Sequence, residues 1–118
     1  MNSHRLIDER SYEMHRVIAR ILSADPSCLD LVARQMDTRL ADPDYSESLK
    51  DCVREWRGIV ADGLDRVLSV LEDRSDEGQR LRQNTPFAIL MPQEERMRIL
   101  RRYRQNEPIR AGAHPAGV

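Results

Sequence analysis

The sequence predicts an all-α fold: a compact bundle of about five to six short helices followed by a flexible C-terminal tail. Three observations point there. Apolar residues recur every three or four positions instead of alternating, the mark of helices with one buried face. Proline, glycine and aspartate punctuate that pattern at short intervals. Aromatic residues are few (Trp56, Phe87, Tyr12, Tyr45 and Tyr103), so the core must be built mainly from Leu, Ile, Val, Met and Ala, which suits helix-on-helix packing. The 118 residues, 40% hydrophobic and 33% charged, suffice for one domain with one modest core. That domain is expected over 1–104, with a tail over 105–118 where Pro108, Gly112, Pro115 and Gly117 accumulate.

The first helix is expected from about Arg5 to Leu22, with Ile7, Met14, Val17, Ile18, Ile21 and Leu22 on one side. Asp25 and Pro26 restart the chain as N-cap and first helical residue. The second helix then runs to Leu40 on a stripe of Leu29, Val32, Ala33, Met36 and Leu40, until Pro43 stops it. The third begins near Tyr45 or Ser46 and turns Leu49, Cys52, Val53, Trp56, Ile59 and Val60 inward. A break near Asp62, with Asp62 as cap, is expected to separate a fourth helix over 63–72; a single helix from Ser46 to Glu72 is the alternative. Ser75 caps a short fifth helix reaching Gln83, with Asp76 and Glu77 near its positive end. Residues Phe87 to Met91 read as a loop pinned to the core by Phe87, Ile89 and Leu90. Pro92 opens a sixth helix to about Arg102, with Met97, Leu100 and Tyr103 inside and a Glu94–Arg98 pair outside.

The charge is unevenly distributed. The net charge is −1, which gives no support to a general polyanion-binding role. Residues 1–77 nevertheless carry 11 Arg or Lys against 17 Asp or Glu, whereas residues 78–118 carry 8 Arg against 3 Glu. Lys50 is the only lysine. A GC-rich genome accounts for such a bias, and so does a need for planar guanidinium groups facing carboxylates or phosphates.

Catalytic chemistry is not expected. Of the histidines, His4 and His15 lie near the N-terminus and His114 in the tail, none in a recognisable nucleophile–base–acid pattern, and His15 reads as a surface residue. Cys28 and Cys52 lack metal-ligand spacing and read as free thiols, so neither a metal nor any other cofactor is expected. The five glycines are too scattered to form a phosphate loop. The charged N-terminus does not resemble a signal peptide, and Phe87–Met91, the longest apolar run, is too short to span a bilayer. A cytoplasmic protein without membrane contact is the expectation.

The segment from Gly78 to Arg104 departs most from a plain bundle. Arg80, Arg82, Gln83 and Asn84 crowd one helix end, Arg96, Arg98, Arg101, Arg102 and Arg104 another, and the proline-framed loop holds Phe87 between them. Core residues closing a last hairpin would explain Phe87, Leu90, Met97 and Leu100. So many side-chain donors point instead to an acid-facing surface. The block Leu81-Arg82-Gln83-Asn84-Thr85-Pro86-Phe87-Ala88, followed by Pro92-x-Glu94-Glu95-Arg96, resembles the C-terminal signature of small helical antitoxin-like proteins encoded in bacterial toxin–antitoxin two-gene loci. The opening Tyr12-x-Met14-His15-Arg16-Val17-Ile18-Ala19 and Leu22-x-Ala24-Asp25-Pro26 is similar to theirs as well. The resemblance implies a protein that neutralises a cognate toxin, the product of an adjacent gene, by direct contact. Arg80, Arg82, Gln83, Asn84, Phe87, Arg96, Arg98 and Arg101 are the candidate partner-binding residues. Two other functions stay open: a DNA-binding regulator, which the acidic majority of the chain opposes, and a structural subunit that homodimerises through Trp56 or the first helix.

Overall fold

Six α-helices and one 3-10 turn follow one another, with no strand among the described residues, 3–106, of the computed structural model. They are α1 (Ser3–Ala24), α2 (Cys28–Ala41), α3 (Glu47–Ala61), α4 (Leu64–Leu71), α5 (Asp76–Arg82), the 3-10 turn Phe87–Leu90 and α6 (Gln93–Asn106). The expected bundle is therefore present. Its last helix carries through Asn106, past the expected start of the tail at 105; the rest of that tail lies outside the described residues. No described helix is long and apolar enough to cross a membrane.

Local chemistry sets most of the boundaries. Ser75 Oγ accepts from the Gly78 N–H, so that cap acts as expected, and Ser46 Oγ accepts from the Leu49 N–H at the start of α3. Asp25 also accepts the Ser27 N–H, but Cys28 and Leu29 first bond three residues back, and regular α-helix starts at Cys28 rather than Pro26. The break after α3 is real, though Asp62 does not cap α4. Its N–H still bonds to the Ile59 carbonyl, so its backbone is helical, and Gly63 takes the next position with φ 104°. Only glycine adopts that conformation without strain. Gly78 is required for a different reason: a Cβ there would sit 2.1 Å from the Asp73 carbonyl oxygen.

The core gathers residues of α1 to α5 and of the 3-10 turn. Trp56 and Phe87 meet edge to face with centroids 5.3 Å apart, and the Trp56 indole donates to the Leu81 carbonyl at 2.9 Å. Ile18, Leu22, Val32, Met36, Val67 and Leu71 pack around them. Each such side chain contributes roughly 1.5–3 kcal/mol by leaving water. Helix α1 touches α2, α4, α5, α6 and the 3-10 turn, so it is the element on which the others assemble.

Several expected positions differ. Leu49 is 44% exposed and Lys50 is buried in its stead: the apolar period of α3 continues into its first turn, but the packed neighbours do not. Ile89 is also 44% exposed, because the 3-10 turn directs only Phe87 fully inward. In α6 it is Ile99 that is fully buried, with Met97, Leu100 and Tyr103 half-buried beside it. Arg98 pairs with Glu95 rather than Glu94. His15, expected on the surface, is only 4% exposed, since so many elements cover α1.

Candidate functional site

The positions 5, 8, 9, 12, 13, 16 and 20 fall on one face of α1 at three- and four-residue spacing. All carry charged or phenolic side chains: Arg5, Asp8, Glu9, Tyr12, Glu13, Arg16 and Arg20. The end of α5, the α4–α5 connection and α6 lie beside this face and leave two recesses, each of about 260 Å³. One is lined by Arg5, Asp8, Gln79 and Arg82, the other by Glu13, Arg16, Arg20, Arg98 and Tyr103. Glu9, Tyr12 and Arg74 line both, so the two recesses adjoin in a trench along α1, with the Arg74 side chain, laid over Tyr12 and bonded to Glu9, between them.

Arg74 holds the middle of the trench. It donates to both oxygens of Glu9 at 2.9 and 3.0 Å and lies 4.2 Å from the Tyr12 ring centroid. The hydrogen bond and charge of Glu9 raise its pKa. Arg82 flanks the same ring at 5.1 Å. Its Nη1 donates to the carbonyls of Leu71, at the last turn of α4, and of Asp73 just beyond it, and also approaches the Val70 carbonyl, which already accepts from the Glu72 and Asp73 N–H groups. Burial pulls the Arg82 guanidinium below its ordinary pKa, and the charges of Asp73 and Tyr12 offset part of that effect. On the α6 side, Arg102 is paired with Glu13 and Arg98 with Glu95. Arg5, Arg16 and Arg20 make no ion pair among the described residues.

The eight residues singled out from the sequence do not form one surface. Phe87 is fully buried and Arg82 is 3% exposed, so neither presents a free face to a partner in this fold. Arg80 is exposed but held by Glu55 and Glu77, each at 2.6 Å, which raise its pKa strongly. Gln83 and Asn84 are exposed beyond the end of α5. Arg96, Arg98 and Arg101 are exposed on α6, and only Arg98 lines the trench. Sequence reasoning missed Arg5, Arg16, Arg20 and Arg74. The polar stripe on α1 was a usable signal, but nothing in the sequence brought it beside α6.

A base is not available here in the usual sense. His15 Nδ1 donates to the Ser11 carbonyl at 2.7 Å, which leaves the lone pair on Nε2, buried and without a hydrogen-bond partner among the described residues. Ser11 Oγ lies 3.4 Å from Nδ1, the nitrogen that already carries the proton. Burial holds the His15 pKa at about 4, with the Ser11 bond opposing and the Arg82 charge assisting. No group of three or more His, Cys, Asp or Glu among the described residues is placed to hold a metal ion. The chemistry the trench does offer is recognition of anionic groups by guanidinium forks.

Comparison with protein-family models, with curated proteins and with solved structures gives no match to this chain.

Proposed function

We propose that the protein is a non-catalytic binding protein of the antitoxin type, acting in the cytoplasm, which neutralises a cognate toxin enzyme by direct protein–protein contact. The observation that carries this reading is the set of exposed arginines on α1 and α6 that make no ion pair among the described residues: Arg16 and Arg20 lining a recess on one helix, Arg96 and Arg101 on the outer surface of the other. A fold needs no such set, because exposed arginines contribute little to stability. Arginine is enriched at protein–protein interfaces, where its planar fork meets carboxylates with two parallel bonds. The resemblance of Leu81–Ala88 and Pro92–Arg96 to the antitoxin-like signature gives the partner's class. In this folded state the Phe87 part of that block acts from inside, holding the 3-10 turn and so the start of α6 against Trp56.

The test is co-expression with the product of the adjacent gene. Growth rescue together with co-purification is expected, and substitution of Arg96 and Arg101 by alanine should weaken the complex without unfolding the protein. A neighbour that is harmless by itself and forms no complex would remove the basis for this reading. Binding of operator DNA that falls steeply with salt would instead support a transcriptional regulator.

A further inference from the structure

The trench along α1 has a length, a charge and a shape that specify what it takes. From Arg5 to Arg20 the helix rises about 22 Å at 1.5 Å per residue. An extended peptide of about six or seven residues covers that distance. Six arginines line it, namely Arg5, Arg16, Arg20, Arg74, Arg82 and Arg98, against the three carboxylates Asp8, Glu9 and Glu13. Glu9 is engaged by Arg74, and Glu13 by Arg102 from outside the lining. Arg98 is paired with Glu95 on its own helix, whereas Arg5, Arg16 and Arg20 make no ion pair among the described residues and stand at opposite ends of the trench, so no single small anion would satisfy them.

Two features favour a peptide carboxylate over a phosphate chain. Single-stranded nucleic acid is held by a positive groove together with free aromatic faces on which bases stack. Here the Tyr12 ring is flanked by the Arg74 and Arg82 guanidiniums, 4.2 and 5.1 Å from its centroid, and the Tyr103 ring lies 5.8 Å from that of Arg102. A phosphate chain also carries a charge at every unit, including those that would lie against Asp8, Glu9 and Glu13. A peptide can place neutral residues opposite these and carboxylates opposite Arg5, Arg16, Arg20 and Arg98.

We propose that the trench between α1, the α4–α5 connection and α6 receives an extended acidic segment of a partner protein, its Asp or Glu side chains lying against the guanidiniums of Arg5, Arg16, Arg20 and Arg98. This rests on the reading of the protein as a binding partner and names the chemistry of the partner's contacting segment. The middle of the trench is preorganised. Arg74 and Arg82 are already fixed around Tyr12, so an incoming chain orders only the outer arginines.

The experiment uses the full chain and a fluorescein-labelled hexaglutamate, followed by anisotropy at low and raised salt. Two variants are compared with the wild type: Arg16→Ala/Arg20→Ala/Arg98→Ala in the trench and Arg34→Ala/Arg66→Ala elsewhere on the surface. Their folding is checked by circular dichroism. The expected result is salt-sensitive binding that drops roughly tenfold or more in the trench variant and is retained in the other. Absence of binding by the wild type overturns the proposal, and so does equal weakening in both variants, which would mean unspecific attraction. Tighter binding of a single-stranded oligouridine than of the peptide overturns it in favour of nucleic acid. A toxin complex that survives the trench substitutions, in a protein that also ignores hexaglutamate, removes the trench from the interface and leaves the antitoxin reading standing.

Discussion

The end of α5 with its following 3-10 turn, residues 81–90, and helix α6, residues 93–106, are both rich in polar donors, and both belong to the segment that looked like one interface. Their side chains have opposite fates. Arg82 is buried and closes the C-terminal end of α4, and Phe87 is buried against Trp56. Arg96 and Arg101 are exposed, and Arg98 joins α1 in lining an open trench. An arginine therefore has no role until its surroundings are known. Near a helix C-terminus with unpaired carbonyls it acts as a structural donor, and on an outward helix face it is free for a partner.

Breaking the first region should cost most. Phe87→Ala removes a fully buried ring and its contact with Trp56, and a loss of about 3–5 kcal/mol is expected in chemical denaturation. A loss below about 1 kcal/mol would show that the 3-10 turn can be repacked without the ring. Arg82→Met keeps much of the side-chain volume but leaves the Leu71 and Asp73 carbonyls without their side-chain donor, and about 2–3 kcal/mol should be lost. Arg82→Lys should recover only part of this, since an ammonium cannot reproduce the planar fork.

His15, on the covered side of α1, adds a pH dependence. Its folded pKa of about 4 lies below the unfolded 6.5, so between these values the unfolded chain binds more protons than the folded one. Stability should therefore fall as the pH drops from 6.5 towards 4, by about 2 kcal/mol at pH 5 from this group. Denaturation of wild type and His15→Gln at pH 7 and pH 5 isolates the effect. An unchanged pH slope in the variant would mean that other groups carry it. The smallest stability effect belongs to α6: Arg96→Ala and Arg101→Ala should each stay within about 0.5 kcal/mol of wild type, while both weaken partner binding. A large loss of stability there would move these arginines from the interface side of the comparison to the structural side.

Much of the architecture was readable in advance because it depends on short-range chemistry. Ser75 caps its helix within three residues of itself, a break falls after α3 beside Asp62, and the apolar stripes of α2 to α4 repeat within a helix turn or two. Trp56 as the centre of the core also followed from its being the largest apolar group in a chain with few aromatics.

Three outcomes needed the tertiary structure. The exposure of Leu49 and Ile89 depended on where neighbouring elements stop. The burial of His15 and Arg82 depended on how many elements surround α1, and a helical period shows which residues share a face without showing how many faces are covered. The trench depended on α6 returning to lie against α1, which sets Arg98 beside Arg16 and Arg20 from nearly the other end of the chain. Sequence by itself determined the helices, the Ser75 cap and the aliphatic character of the core, because those follow from composition and from residues a few positions apart. Only the packed fold decided which arginines are structural and which are free, because the environment of a long charged side chain is made by elements distant in sequence.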